Sequence, residues 1–370
     1  MKIGIITLPL HTNYGGILQA YALQTVLERM GHEVCLIEKK RELLPFPLWK
    51  APLVYGKRIL NLSGNALPVF HEQKVNREMS VIRQNTDNFI NRYIKRRIVK
   101  DYSVIKNTDF DVIIVGSDQI WRPKYFHEIE HAYLDFTKGW NIRRIAYAAS
   151  FGTDEWEYTP KQTIVCKDFV KQFNAVSVRE STAVDLCHKF FDIKAQHVLD
   201  PTMLLLQDDY IRLFKNANTP KSKGTLLNYI LDETPEKVAL IDKVAKEKDL
   251  VPFRVNSKVG NSNIPLEERI QPSVEQWLRG FYDAEFVVTD SFHACVFSIL
   301  FNKPFIAIGN AERGMSRFTS LLRMFGLENR IVSNVPDKII DSEIDWNHVN
   351  STLTSWMVSS KTFLKGNLIF

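Results

Sequence analysis

The sequence indicates an α/β protein made of two Rossmann-like domains, each a doubly wound parallel sheet, that face a central cleft. Apolar, β-branched runs alternate with segments of helical periodicity, and this alternation restarts after the polar stretch at residues 215–224. A chain of 370 residues is also long enough for two domains with separate cores. We therefore predict an N-terminal domain at residues 1–215 and a C-terminal domain at 224–370, whose final segment is a candidate for packing back on the first domain.

The N-terminal domain begins with a strand–helix–strand unit. The run at residues 2–7 is apolar, as in strands buried on both faces of a parallel sheet. A turn with two glycines follows, then apolar residues at helical spacing up to Leu27, and a second strand at 34–37. Residues from about 41 to 105 interrupt this pattern with prolines and a basic, helix-prone stretch. We interpret them as a basic helical insertion over the sheet, whose charges form either an ordinary solvated face or a surface for anionic lipid head groups or a lipid-linked acceptor.

The remaining elements alternate regularly. In the first domain, strands are predicted at 112–115, 144–148 and 175–178, and helices at 163–173 and 181–190. In the second domain, strands are predicted at 225–231, 251–255, 286–289 and 305–308, and helices at 235–248, 273–282 and 292–301. Right-handed crossovers place the helices on both faces of each sheet. Ligand-binding residues are then expected just after the strands, at their carboxyl ends.

Composition excludes several classes of protein. A net charge of +6 favours anionic ligands, whereas a nucleic-acid-binding protein would usually be more basic. The four cysteines lie far apart without a CxxC pair, which argues against a zinc site or a disulfide framework and for reduced thiols in the cytoplasm. No run approaches the ~20 apolar residues of a membrane span, so membrane contact would be peripheral, at the inner face. The sequence gives no indication of the oligomeric state.

The turn after the first strand contains Asn13, Gly15 and Gly16 at the start of a predicted helix. Glycines there let backbone N–H groups approach an anion, which the helix dipole also favours. The structural alternative is a tight turn that requires glycine for its dihedral angles. The spacing matches neither G-x-G-x-x-G nor the P-loop, so the sequence does not support dinucleotide or nucleoside-triphosphate binding through those motifs.

The turn after strand 112–115 contains Ser117, Asp118, Gln119 and Trp121. Asp118 is a candidate for a general base or for a group that orients a hydroxyl, and Trp121 is a candidate for stacking on a sugar ring. In the structural alternative, Asp118 caps a helix and Trp121 packs in the core.

Arg179 ends the strand 175–178 and offers a planar fork of donors suited to a carboxylate or a phosphate. Its structural alternative is a surface ion pair with Glu180, which would contribute little. The later turn at Asp200, Pro201 and Thr202 we interpret as structural.

Ser291 and His293 fall in the first turn of the helix that follows strand 286–289. A histidine there can donate to an anion or serve as a general acid, although a lone histidine is more often a satisfied polar group. Arg313 and Arg317 follow strand 305–308 and are candidates for anion contact, with a solvated loop as the alternative.

Taken in this order, the motifs resemble the polysaccharide pyruvyl transferase family. The resemblance extends from residues 13–24 through 116–121, 177–180 and 200–202 to 289–294, which is most of the chain. It implies a glycosyltransferase-B-like fold, phosphoenolpyruvate as the donor substrate, and neither a cofactor nor a metal. It further implies transfer of pyruvate as a ketal onto two hydroxyls of a sugar, in a cell-surface polysaccharide or its lipid-linked precursor.

The resemblance also implies roles for individual residues. Arg179 looks like the family's anion-binding arginine, His293 like its donor-site histidine, and Asp118 like the aspartate of its Gly-Ser-Asp turn. Many members have an arginine where this chain has Ser291, so Arg313 or Arg317 would have to replace that cation. Two alternatives stay open: a glycosyltransferase that uses a nucleotide sugar, and a non-catalytic saccharide-binding protein.

Overall fold

The computed structural model describes residues 1–39, 50–59, 71–261, 263–309, 314–332 and 342–368. Within these residues, twelve strands form two sheets. The first sheet consists of β1 to β7, which are Lys2–Ile6, Glu33–Lys39, Arg96–Val99, Val112–Val115, Arg143–Ala149, Ala175–Val178 and Gln196–His197. The second consists of β8 to β12, which are Leu226–Tyr229, Pro252–Phe253, Phe286–Thr289, Phe305–Ile308 and Ile331–Val332.

Helices connect the strands in both halves. The first half has α1 to α7, which are Tyr14–Arg29, Ala51–Ile59, His71–Ile82, Gln84–Tyr93, Pro160–Val170, Ser181–Leu186 and Gln207–Asn216. The second half has α8 to α12, which are Pro235–Lys248, Val274–Asp283, Phe292–Leu300, Met315–Met324 and Trp346–Leu368. Among the described residues, no helix combines the length and the apolar character needed to cross a membrane.

In each sheet there is a switch point, where the strands that follow are added on the opposite side of the sheet. The first has the order β3-β2-β1-β4-β5-β6-β7 and the second β12-β11-β10-β8-β9, with every pairing parallel. Loops therefore diverge after β1 and β4 in the first sheet, and after β8 and β10 in the second. Such switch points leave crevices at the carboxyl ends of strands, where α/β proteins bind ligands. The predicted fold class, two doubly wound parallel-sheet domains, is confirmed.

Most predicted elements are found at or near their predicted positions. Strands β4, β6, β10 and β11 and helix α8 have the predicted bounds. The strands predicted at 225–231 and 251–255 are shorter: β8 extends only over its four-residue pairing with β10, and β9 only over its pairing with Leu226 and Leu227 of β8. Pro252 has no N–H to donate, which is tolerated at this edge of the sheet. The helix predicted at 181–190 ends at Leu186 and continues as a π-helical turn at Cys187–Phe191.

The segment interpreted as an insertion over the sheet contributes a strand to it, which the sequence analysis missed. β3 pairs with β2 from Leu36 with Arg96 to Lys39 with Val99. It is a short, charged edge strand, and such strands lack the apolar pattern by which central strands are recognised. Helices α3 and α4 of the same segment reach the second half, where Asn85 Nδ2 donates to the carbonyl oxygen of Gln271 at 2.9 Å. Residues 40–49 and 60–70 of the segment lie outside the described residues.

Further contacts join the two halves of the chain. The C-terminal helix α12 packs on the first half, where the backbone N–H of Leu199 donates to Ser360 Oγ at 3.0 Å and Arg143 Nη1 donates to the carbonyl oxygen of Asn367 at 2.6 Å. At the start of α1, the Tyr14 ring stacks on Trp277 of α9 with centroids 5.4 Å apart. These contacts bring the carboxyl edges of the two sheets together.

Candidate active site

The loops at the two switch points enclose one cleft between the halves. It holds about 440 Å³ of space, part of which is open to solvent. The first half contributes residues that follow β1 and β4, and the second half contributes residues that follow β8, β10 and β11. The lining residues are Asn13, Asp118, Gln119, Tyr125, Leu231, Asp290, Ser291, Phe292, His293, Arg317 and Phe318.

The turn before α1 shapes one wall of this cleft. Asn13 caps the helix by accepting from the backbone N–H of Gly16. Gly15 lies directly against His293: a Cβ placed on Gly15 would be 2.0 Å from Nδ1 of that ring. At Gly16 the nearest atom to such a Cβ is Oδ2 of Asp118, at an ordinary 3.5 Å. Gly15 is therefore required for the close approach of the two halves, whereas Gly16 faces Asp118.

The turn after β4 is held from behind by α1. Gln19 donates through Nε2 to Thr7 Oγ1 at 3.0 Å and accepts at Oε1 from the backbone N–H of Ser117, also at 3.0 Å. Ser117 itself is buried and donates through Oγ to the carbonyl oxygen of Ala148. Asp118 has φ of 63°. This left-handed conformation is uncommon for residues other than glycine, asparagine and aspartate. Together these contacts fix Asp118 at the cleft.

The proposed stacking role of Trp121 was wrong. Its side chain is fully buried, its ring stacks on Tyr133 with centroids 5.0 Å apart, and its Nε1 donates to the carbonyl oxygen of Ala132 at 3.1 Å. The structural alternative therefore holds for Trp121. Gln119, by contrast, lines the cleft and accepts from Arg122 Nη1 at 3.2 Å.

Arg179 belongs to a buried ion-pair network and is absent from the residues that line the cleft. Its Nη1 donates to Oδ2 of Asp200 at 2.8 Å, and its Nη2 lies 3.5 Å from Oδ1 of Asp118. The surface pair with Glu180 considered in the sequence analysis does not form. Glu180 is also buried and accepts at Oε1 from Ser150 and from the backbone N–H groups of residues 151 and 152. Burial raises the pKa of Glu180, against the opposing effect of Arg179.

Asp200 joins the two halves of the site. Its Oδ1 accepts from the backbone N–H and hydroxyl of Thr202, which is the structural role that the sequence analysis assigned to this turn. Its Oδ2 contacts Arg179 and lies 3.5 Å from Nε2 of His293, at the outer limit of hydrogen-bond distance. Burial would raise the pKa of Asp200, but the contact with His293 and the charge of Arg179 hold it well below its usual range.

Helix α10 points its N-terminus into the cleft. Ser291 is its N-cap but makes no side-chain capping hydrogen bond, so its first N–H groups are not satisfied in that way. The preceding Asp290 accepts from the backbone N–H groups of Leu231 and Asp232 and from Lys237 Nζ at 2.7 Å, which fixes the loop after β8 at the cleft. His293 thus reaches the cleft from the first turn of α10.

Arg317 places a cation in the cleft beside this helix N-terminus. It lines the cleft, and its guanidinium lies over the Phe292 ring at 5.7 Å, while that of Arg179 lies at 4.6 Å from the same ring. Burial and the like charge of Arg179 lower the pKa of Arg317 to about 10, so it is charged at neutral pH. An anion bound in the cleft would stabilise that charge. The other candidate, Arg313, lies outside the described residues.

The site brings together most of the predicted residues and adds one that the sequence analysis missed. Asp118, Gln119, Ser291, His293 and Arg317 line the cleft together with Asn13, whereas Gly15, Gly16, Ser117 and Arg179 support it from behind. Asp200 was missed as a site residue. It follows the short strand β7 at the same sheet edge, which was a signal in its favour. In the part of the chain described, no three His, Cys, Asp or Glu side chains are grouped to hold a metal ion.

Solved structures that resemble this chain include a glycosyltransferase from Rickettsia africae, with 10% identity, 99% and 94% of the two chains covered and a TM-score of 0.45. A UDP-GlcNAc 2-epimerase from Neisseria meningitidis has 9% sequence identity and a TM-score of 0.46, with 100% of this chain and 95% of the epimerase chain covered. A UDP-N-acetylglucosamine 2-epimerase from Rickettsia bellii has 10% sequence identity and a TM-score of 0.47, with 99% of this chain and 95% of the epimerase chain covered. No curated protein sequence matches the chain. The family model for polysaccharide pyruvyl transferases matches residues 13–312, and the chain therefore belongs to the polysaccharide pyruvyl transferase family.

Proposed function

We propose that this protein transfers pyruvate from phosphoenolpyruvate, as a ketal, onto two hydroxyls of a sugar in a cell-surface polysaccharide or its lipid-linked precursor. Family membership supports a transferase of this class. The observation that carries the proposal is the convergence of Arg317, His293 and the N-terminus of α10 on one cleft that also contains Asp118. The transfer requires no cofactor in this proposal.

Phosphoenolpyruvate carries a carboxylate and a phosphate, so its site must supply fixed positive groups. The N-terminus of α10 offers backbone N–H groups and the positive end of the helix dipole, both suited to an oxyanion. Arg317 adds a guanidinium, which can bind a carboxylate or a phosphate in a bidentate manner. In this proposal Arg317 takes the place of the arginine that many family members have at the position of Ser291. Arg179 has an indirect role, because its ion pairs position Asp118 and Asp200.

His293 is the proposed proton donor. Asp200 lies beside Nε2 at 3.5 Å, and its low pKa keeps it ionised, so a carboxylate faces that nitrogen of the ring. The Nδ1 side of the ring lies against Gly15 at the wall of the cleft. A carboxylate–histidine pair of this kind orients the ring and supports proton transfer.

The reaction balances with one general acid and one general base. Protonation of the methylene carbon of phosphoenolpyruvate by His293 gives a methyl group and an oxocarbenium-like C2. A first sugar hydroxyl adds to C2 and gives up its proton to Asp118. Asp118 passes this proton to the phosphate, which leaves C2 with its bonding electron pair. The second hydroxyl then adds to C2 and gives its proton to His293, so both groups return to their starting states. The products are the cyclic ketal and inorganic phosphate.

Asparagine at position 293 is expected to lower acceptor-dependent phosphate release by about 10²–10⁴-fold, the usual contribution of a general acid. The assay uses purified protein, carbon-13-labelled phosphoenolpyruvate and a mixture of oligosaccharide acceptors, and it also detects the ketal carbon by NMR. His348→Asn, an exposed position on α12, is the matched control. Full activity of His293→Asn would reject the acid assignment. Release of nucleotide from a sugar nucleotide, with no phosphoenolpyruvate turnover, would instead support a glycosyltransferase.

A further inference from the structure

Tyr125 is an exposed aromatic ring at the cleft that the proposed chemistry leaves without a role. It lines the cleft beside Asp118 and Gln119, and 39% of its surface is exposed. It lies in the turn after β4, four residues beyond the buried Trp121, and its backbone N–H donates to the carbonyl oxygen of Arg122 at 2.9 Å. The cleft therefore has an aromatic wall, at a different residue from the one predicted.

A fixed guanidinium covers one face of the Tyr125 ring. The Cζ atom of Arg122 lies 5.1 Å from the ring centroid. Arg122 is itself held by Glu157, which accepts from Nε at 2.8 Å and from Nη2 at 2.7 Å, and by Gln119 Oε1 at 3.2 Å. The hydrogen bond between them raises the pKa of Arg122 and lowers that of Glu157, so both stay charged. The ring is thus held in place at the cleft, with part of its surface exposed.

Hydrogen-bonding groups stand next to that ring. Since Oε1 of Gln119 accepts from Arg122, the amide of Gln119 presents its N–H₂ group as a donor. Asp118 presents carboxylate oxygens as acceptors at the same wall. An aromatic face flanked by a donor and an acceptor suits a pyranose, which has an apolar C–H face and a rim of hydroxyls.

We propose that Tyr125 is the platform for the acceptor sugar, with the C–H face of one pyranose packed on its ring and the hydroxyls of that sugar bonded to Gln119 and Asp118. The inference rests on the proposed function, because it places the reacting hydroxyls at Asp118. It assigns the donor to the wall formed by α10 and Arg317, and the acceptor to the wall formed by the turn after β4.

Saturation-transfer NMR tests this platform with methyl glycosides of galactose, glucose, mannose and N-acetylglucosamine at tens of millimolar. Wild-type protein is expected to transfer saturation to the ring C–H protons of at least one glycoside. Tyr125→Ala is expected to weaken that binding by about tenfold, the scale of one lost aromatic contact. Tyr125→Phe, which keeps the aromatic ring, is expected to bind the glycoside as tightly as wild type.

Tyr282→Ala is the matched control. Tyr282 is 38% exposed and also has an arginine, Arg279, over its ring at 5.6 Å, but it lies on α9 and does not line the cleft. Equal glycoside binding by Tyr125→Ala and Tyr282→Ala, or no saturation transfer from wild type, would overturn the proposal.

Thermal unfolding of the same variants with phosphoenolpyruvate separates this inference from the proposed function. Stabilisation by phosphoenolpyruvate in both wild type and Tyr125→Ala, with no effect of Tyr125 on glycosides, would overturn only the platform. Glycoside binding that depends on Tyr125, without any response to phosphoenolpyruvate, would support the platform and count against the donor.

Discussion

Replacing Arg179 with methionine is expected to lower the free energy of unfolding by about 3–5 kcal/mol, because removing one partner leaves buried carboxylates without their counter-charge. Arg179 is buried, donates to Asp200 at 2.8 Å and lies 3.5 Å from Asp118. Urea denaturation measures the loss.

The exposed pair of Arg97 and Asp109 provides the control for this substitution. Its atoms approach to 2.7 Å, as closely as those of the buried pair, but 41% of the Arg97 side chain is exposed. Arg97→Met is therefore expected to cost only about 0–1 kcal/mol. Adding Asp200→Asn to Arg179→Met should restore part of the lost stability. Equal losses from Arg179→Met and Arg97→Met would show that the buried network does not stabilise the fold.

The same network predicts how stability depends on pH. Because the pKa of Asp200 is lowered on folding, its contribution is fully present above the unfolded value of about 4 and is lost as the pH falls below it. Arg179→Met removes one cause of that shift. The variant should therefore lose less stability than wild type between neutral pH and acid.

Alanine at position 15 is expected to reduce turnover by about 100-fold or more and to destabilise the protein by about 1–3 kcal/mol. The added Cβ would lie 2.0 Å from Nδ1 of His293 and 2.3 Å from its Cγ, so the ring must shift from its present position beside Gly15. A displacement of about 1 Å is enough to disrupt proton transfer. Phosphate release and urea denaturation measure the two effects.

Two other glycines serve as controls for Gly15→Ala. Gly16→Ala adds a Cβ with no neighbour closer than 3.5 Å, and it should not cause the same loss of stability. Gly366→Ala lies in α12 with no atom within 4 Å of the added Cβ, so it should leave turnover unchanged and stabilise the helix slightly. Full turnover by Gly15→Ala would mean that His293 is not held against α1 during the reaction.

The order of strands and helices could be predicted because parallel strands buried on both faces have a clear apolar pattern. Val112–Val115 and Phe305–Ile308 are buried throughout and were found at the predicted positions. The edge strand at Arg96–Val99 was missed, because its exposure removes the apolar pattern and its charges resemble those of a solvated helix. Apolar periodicity therefore identifies the core of each sheet better than its edges.

The candidate site could be predicted where a motif directly follows a central strand, as at Asp118 and His293. The sequence alone could not show which side chains of those turns face the cleft. Trp121 and Tyr125 lie in the same turn, yet one is fully buried and the other exposed. Asp200 was missed for a related reason: its bond to Thr202 is local, whereas its contact with His293 depends on how the two halves meet.

The central claim is that Arg317, His293 and the N-terminus of α10 bind phosphoenolpyruvate across one cleft. Isothermal titration calorimetry of phosphoenolpyruvate and of uridine diphosphate, into wild type and Arg317→Met, tests it most directly. Wild type should bind phosphoenolpyruvate, and Arg317→Met should bind it at least about tenfold more weakly, since a charge-assisted hydrogen bond contributes about 1.5–3 kcal/mol. Binding of uridine diphosphate without binding of phosphoenolpyruvate, or equal phosphoenolpyruvate affinity in both proteins, would contradict it.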